Sequence, residues 1–500
     1  MVAVMDVVLG ADIGTTATKV LACRADGTVV ARTAAHGYPL LEPDEGHAVQ
    51  SPDVVLAAAA DALREATAAA GAAGGRIVGV CLSSAMHSLI GVDDGGAPVT
   101  PLITWADTRA AATATRIAVD HPSLHRRTGT PVHPMSPLVK LAHLHEHDAA
   151  TVARVHRWVG IKELVVERLT GTWLVDASVA SATGLVALGR QEYDAEALSV
   201  AGVDASALSP VAAVTAQAGP VTAAGCSWSG VPAGAVVVLG AGDGPLANLG
   251  AGATRPGVAA VSIGTSGALR VTVDTPRIDD AGRLFCFAST PGRWVVGGAI
   301  NNGGHVLAWA GDALTPDLDS PEALLALAAT APVGSDGLLM LPYLLGERAP
   351  RWDTLPSAAY VGLRRTHGRR HLLRAALEGV CQQLALILDA VRAAGHPVDE
   401  VRAGGGFATG ELWPQILADC LGMDVGLPAG HEGSAHGAAL LGLWALGLGA
   451  DPDIAAGRVT VDRVVRAEAR AVATYAAQRP IFAGLSDALA PAWQALDALR

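Results

Sequence analysis

The order of apolar and polar positions divides the chain into short buried strands separated by helices. Residues 6–11 form an apolar run that ends in the polar loop Asp12-Ile13-Gly14-Thr15-Thr16; residues 18–23 and 28–34 then resume strand character around a turn at Asp26-Gly27. Some 250 residues later the same figure recurs: residues 257–261 lead into Ser262-Ile263-Gly264-Thr265-Ser266-Gly267, and residues 268–273 read as the following strand. The repeat predicts two related halves. Between them, residues 51–70 and 138–147 carry helical spacing, whereas 77–83 and 235–239 are apolar throughout, the pattern of strands covered on both faces. The second half continues with a strand at 294–298, a glycine turn at 301–304, a helix at 372–393, a strand at 400–403, the triplet Gly404-Gly405-Gly406, and a helix from Leu412. The alternation makes the class α/β. Gly, Ala and Pro cluster at 244–257, so the expected units are 1–247 and 248–455, followed by an Ala/Arg-rich tail at 456–500 that reads as helical.

At 500 residues the chain exceeds what one core organises, which leaves room for a cleft between domains. The longest apolar run, 437–450, is too short and glycine-rich to span a bilayer. The first ten residues lack a basic leader and run directly into a strand, so the expectation is a cytoplasmic protein with no membrane partner. Cys23, Cys81, Cys226, Cys286, Cys381 and Cys420 show neither CxxC nor Cys/His spacing, which argues against a disulfide framework or structural zinc. A net charge of −12 offers no basic stripe for a phosphate backbone, so no nucleic-acid partner is expected. Of 35 basic residues only Lys19, Lys140 and Lys162 are lysines, which marks those three for attention.

A Gly/Thr loop directly after a strand can turn backbone N–H groups and hydroxyls toward phosphate oxygens. Gly14, Thr15 and Thr16 fit this, as do Gly264, Thr265 and Ser266; one such loop is usually a hairpin, but two with the same core favour phosphate binding. Gly405 and Gly406, with Gly303 and Gly304, would let a nucleotide approach backbone. Asp12 beside the first loop could hold Mg²⁺. Residues 236–239 deliver Asp243 into what reads as a glycine turn at the domain junction, where a carboxylate could act as general base or serve only as a turn former. No GxxxxGK[ST], HRD or DFG occurs, which excludes P-loop and protein kinases, and no acidic residue follows Gly240-x-Gly242 between 244 and 273 to bind a dinucleotide ribose. Met86, His87 and Ser88, Trp105 to Arg109, His133 and Lys140 follow strand ends and offer an aromatic platform with polar donors for a polyhydroxy ligand.

These residues lie in the ordered segments DIGTT, MHS, WADTR, GTPVHPMSP, GIKE, GAGDGPLANLG, SIGTSG, LPYLLGERAP and GGGF, and in this order, over about residues 6–450, the chain resembles the FGGY carbohydrate kinases, within them the gluconokinases. The resemblance implies two actin-like ATPase (ribonuclease H-like) domains around a central cleft, with ATP and Mg²⁺ as cofactors. It implies transfer of phosphate from ATP to D-gluconate, with xylulose or another polyol as the alternative acceptor. Asp243 would be the base and, with Asp12, would lie at the metal; Thr15 and Thr265 would meet the phosphates, Gly405 and Gly406 would flank the nucleotide, and Met86, His87, Trp105 and His133 would line the sugar pocket. His87 leads the basic candidates for the sugar acid's carboxylate. A non-sugar actin-like ATPase and an NAD-linked oxidoreductase are the more distant readings. The expected partners are small molecules, and a homodimer is left open. Two departures from the family pattern stand out, Pro245 after the catalytic segment and Gly410 near the expected adenine position.

Overall fold

The computed structural model describes residues 5–428, 433–457 and 459–499; residues 1–4, part of the segment read for a leader, lie outside the described residues. Each half is built on a seven-stranded sheet. In the first, the order is Gln217–Pro220, Val236–Gly242, Gly75–Ser84, Met5–Ile13, Ala17–Arg24 and Val29–Arg32, with His36–Gly37 also on Ala17–Arg24. The second runs Phe285–Ala288, Trp294–Ile300, Gly267–Val273, Val258–Ile263, Glu400–Gly404, Val425–Pro428 and Val461–Val465. Met5–Ile13 pairs antiparallel with the next strand and parallel with Gly75–Ser84, which pairs parallel with Val236–Gly242. Val258–Ile263, Glu400–Gly404 and Val425–Pro428 repeat those relations strand for strand. The two IGT loops therefore occupy equivalent corners of duplicated units. Helices Pro52–Ala72 and Arg369–Ala393 cover the corresponding sheets, each with an apolar face in the core.

The parallel strands end on one side of each sheet, where open α/β sheets bind ligands. Ile13 passes into the first Gly/Thr loop, Ser84 into Met86 and His87, and Gly242 into Asp243; Ile263 and Gly404 do the same for the second unit. Asp243 does not sit in a turn. It is the first residue of the helix Asp243–Gly250, and Pro245 falls in the opening turn, where its missing N–H has no helical acceptor to lose. The boundary expected at 247/248 consequently cuts a helix, because Gly244 and Pro245 disguise its start.

The tail also departs from the helical reading. Residues 461–465 form an edge strand paired with Val425–Pro428, and only then does the helix Ala469–Asp497 begin, burying Tyr475, Phe482 and Trp493 in the second unit. The edge strand VDRVV is mostly exposed, so its composition carries little of the apolar signal that marks inner strands.

The glycine-rich run that was too short for a membrane forms the helix Gly433–Ala445, which lies in the second half by sequence but packs on the first sheet and on Asp243–Gly250. Glycine makes this approach: a Cβ on Gly10 would fall on the Ala435 carbonyl, one on Gly250 on the Gly433 carbonyl, and one on Gly437 on the Leu246 carbonyl. Among the described residues no helix is long and apolar enough to cross a membrane. Gly437→Ala is expected to destabilise the protein by about 1–3 kcal/mol, since backbone must move to admit the methyl. Gly484→Ala, in open space on Ala469–Asp497, should be neutral or stabilising by up to about 1 kcal/mol. Thermal unfolding of the two variants checks the difference, and equal effects would count against the close-packing account.

Candidate active site

The first wall of the cleft is the loop at 14–16. Gly14 N–H donates to Ala17 O at 3.1 Å, Gln50 Nε2 donates to Thr15 O at 2.7 Å, and Trp105 Nε1 donates to Thr15 Oγ1 at 2.9 Å. The indole is thereby fixed beside the first Gly/Thr loop. Asp12 lies opposite Ser83 in the paired strands and accepts a 2.7 Å bond from its hydroxyl. On the next strand, Lys162 Nζ donates to Ala241 O at 2.7 Å and pairs with Asp176 at 2.6 Å, fixing the strand end that carries Asp243. Met86 packs against Gly242, where a Cβ would meet its sulfur at 2.5 Å, so Met86 and Asp243 are brought together.

Burial pushes the Asp12 carboxyl up to about 6, and the charge of Asp243 adds to that rise; the Ser83 bond, Lys19 and Lys162 oppose it. Asp243 is likewise raised by burial, against the pull of Arg270, its bond from Gly244 N–H, Lys162 and Arg348. A pair of carboxylates raised by burial, one of them further raised by the other's charge, suits a divalent cation. Among the described residues no group of three or more His, Cys, Asp or Glu could hold a metal, so a Mg²⁺ here would take its remaining oxygens from water and phosphate, as that ion ordinarily does.

Both pocket histidines are neutral. His87, at φ 68°, places Nδ1 2.8 Å from Ala182 O, to which only a protonated nitrogen can donate, leaving Nε2 as an acceptor. His133 Nδ1 instead accepts from Met135 N–H at 3.2 Å, so its Nε2 carries the proton, and that buried atom has no protein partner. Burial, with Lys140 and Arg348 nearby, holds each imidazole down to about 3. One ring accepts and the other donates, which suits hydroxyl groups; the expectation that His87 would meet a carboxylate as a cation does not fit this geometry. Lys140 is buried, and its ammonium donates to His87 O at 2.6 Å, Thr104 O at 2.8 Å and Ile103 O at 3.4 Å, so it braces the pocket from beneath.

The second unit supplies the opposite wall. Gly264 and Thr265 are exposed, and no atom lies within 4 Å of where a Cβ would stand on Gly264, Gly404 or Gly406. Gly405, at φ 112°, turns the chain under Ile263. Gly303 and Gly304 serve a different end from close approach to a nucleotide: their N–H groups donate to Thr265 O at 3.1 Å and Gly264 O at 2.6 Å, bracing the loop from behind. Gly410 abuts only Leu325, and its carbonyl accepts from Arg463 at 2.8 Å.

Several residues of this site were missed in the sequence. Arg348 places its guanidinium 4.4 Å from the Trp105 ring centroid, across the cleft, and donates to Ile300 O at 3.0 Å. Glu347 beside it accepts from Asn301 N–H at 2.6 Å and Asn302 Nδ2 at 3.1 Å. Arg270 is buried near Asp243, bonded to Asn248 at 3.2 Å and Ser262 at 3.3 Å. Phe287 and Trp352 of the second unit close on His87 and His133 with ring centroids 5.7 and 6.1 Å apart. The segment LPYLLGERAP was visible as a motif, but nothing in its local pattern says that it folds over a tryptophan some 240 residues earlier.

The comparisons with known proteins agree with this geometry. The chain is 37% identical over 451 residues to the gluconokinase of Bacillus subtilis (strain 168), covering 88% of this chain and 87% of the relative. A solved gluconate kinase from Lactobacillus acidophilus superposes with a TM-score of 0.93 at 32% identity, covering 98% of this chain and all of that one. A ligand-bound xylulose kinase structure from the same organism gives the same TM-score, identity and coverage. Residues 7–250 match the N-terminal domain, and residues 259–446 the C-terminal domain, of the FGGY family of carbohydrate kinases, and the chain belongs to that family.

Proposed function

We propose that the protein transfers the γ-phosphoryl group of ATP to the primary hydroxyl of D-gluconate, giving 6-phosphogluconate and ADP. The observation that carries this reading is the convergence of Asp12 and Asp243 at the strand ends of the first unit, close enough for the charge of Asp243 to act on Asp12. Phosphoryl transfer asks mainly for in-line positioning, charge neutralisation and exclusion of water, and a cleft with a phosphate loop on each wall is suited to all three.

In this scheme Asp243 accepts the proton of the attacking hydroxyl and orients it. Asp12 and Asp243 hold Mg²⁺, which when bound neutralises charge on the phosphates. Gly14, Thr15 and Thr16 on one wall and Gly264 and Thr265 on the other contact the phosphates, with Gly405 and Gly406 along the nucleotide. His87 Nε2 accepts from one sugar hydroxyl, His133 Nε2–H donates to another, and Met86 and Trp105 provide the apolar faces. Gluconate is favoured by the gluconokinase relative and by the cations Arg270 and Arg348, whose charges reach Asp243. The xylulose kinase likeness supports a neutral ketose as the second reading.

Asp243→Asn keeps shape and helix start but cannot take a proton, so kcat should fall by roughly 10²–10⁴ while the affinities for gluconate and MgATP change little. Activity within a few-fold of the parent in the folded variant would remove the catalytic assignment. A coupled ADP-release assay across a sugar panel should rank D-gluconate above D-xylulose in kcat/KM, and the reverse ranking would establish the ketose as acceptor.

A further inference from the structure

We propose that Arg348 is a positioning residue that joins the two units over the acceptor: stacked on Trp105, it holds a loop of the second unit against the indole that lines the first unit's pocket. The inference rests on the reading that the acceptor lies between these walls, and it adds a role for a residue of the nucleotide-side unit. Contacts run without a break from one phosphate loop to the other. Thr265 O accepts from Gly303 N–H and lies 2.8 Å from His305 Nδ1, whose Nε2 is 3.2 Å from Asn302 Oδ1. Asn302 donates to Glu347, and Glu347 accepts from the Arg348 N–H at 2.8 Å. The Arg348 guanidinium then covers the Trp105 ring, and Trp105 donates to Thr15 in the first loop.

Guanidinium suits this place because it is flat, weakly hydrated and stacks on aromatic faces while keeping its edge for hydrogen bonds. Arg348 is 8% exposed and bonds Ile300 O, yet its Nε is buried with no protein partner. His133 Nε2 is likewise buried without a protein partner, and the Arg348 charge acts on both pocket histidines. The charged groups facing Asp243 are Asp12 on Met5–Ile13, Lys162 on Ile161–Thr170, Arg270 on Gly267–Val273, and Arg348; Glu347 faces Arg348 from its own loop.

The test uses the full chain with gluconate and MgATP. Arg348→Met should lower kcat about 10²-fold, with KM for ATP within a few-fold of the parent. Arg348→Lys, which restores a cation able to lie over the ring, should recover part of kcat. A kcat in Arg348→Met within a few-fold of the parent, or a lysine variant no better than methionine, overturns the proposal. If Arg348→Met does not fold, Trp105→Phe and Trp105→Leu decide the matter: the stack predicts far higher kcat with Phe, and equal loss in both overturns it. A parent enzyme active on another sugar but not on gluconate would refute the gluconate reading alone, and the same variants would then be compared on that sugar.

Discussion

The burial of two carboxylates, Asp12 and Asp243, is the constraint around which the cleft is arranged. They lie at the ends of strands separated by Gly75–Ser84; burial raises the proton affinity of both, the charge of Asp243 raises that of Asp12 further, and the surrounding architecture tempers the cost. Lys162 lies under the strand that carries Asp243, Arg270 approaches from the second sheet, and Arg348 comes from a loop beyond it. The cleft therefore collects positive charge from both halves around a pair of acids from one half. A phosphoryl donor with its magnesium ion is the kind of ligand that brings both signs to such a place, and the family to which the chain belongs is consistent with that pairing.

Duplication explains why the chain has two Gly/Thr loops of one kind. The two sheets share strand order and direction, so each unit offers such a loop at the same corner, while the segments inserted between their strands differ. His87, Trp105 and His133 all lie between the second and last parallel strands of the first unit, on segments that have no counterpart of similar length in the second. The second unit answers with Phe287, Arg348 and Trp352, which reach back over those segments.

Much of this was legible. The repeated IGT core announced two related units because its glycine and hydroxyl residues are constrained by backbone geometry, and the inner strands were apolar because parallel strands are covered on both faces. Met86, Trp105 and Asp243 were recognisable at strand ends. What escaped depended on distant chain. The tautomer of His87 follows from the Ala182 carbonyl 95 residues later, and the place of Arg348 from a tryptophan in the other half. The exposed edge strand Val461–Val465 and the helix opening at Asp243 were hidden for local reasons, one by its polar face and the other by a Gly-Pro pair in its first turn.

The two buried lysines carry a consequence for how the chain can vary. Lys140 points three protons at three carbonyls, and Lys162, also buried, joins one carbonyl to one carboxylate. An ammonium group can serve acceptors arranged as the corners of a pyramid; a planar guanidinium is longer and sends its protons outward in a single sheet. Arginine has the basic positions of this chain almost to itself, 35 basic residues including only three lysines. Lys19, exposed on the second strand, is exchangeable on that account, whereas Lys140 and Lys162 are held by the directions of their acceptors. Lysine at these two positions thus records stereochemistry more than charge, and a count of basic residues that treats the two types as one would discard that mark.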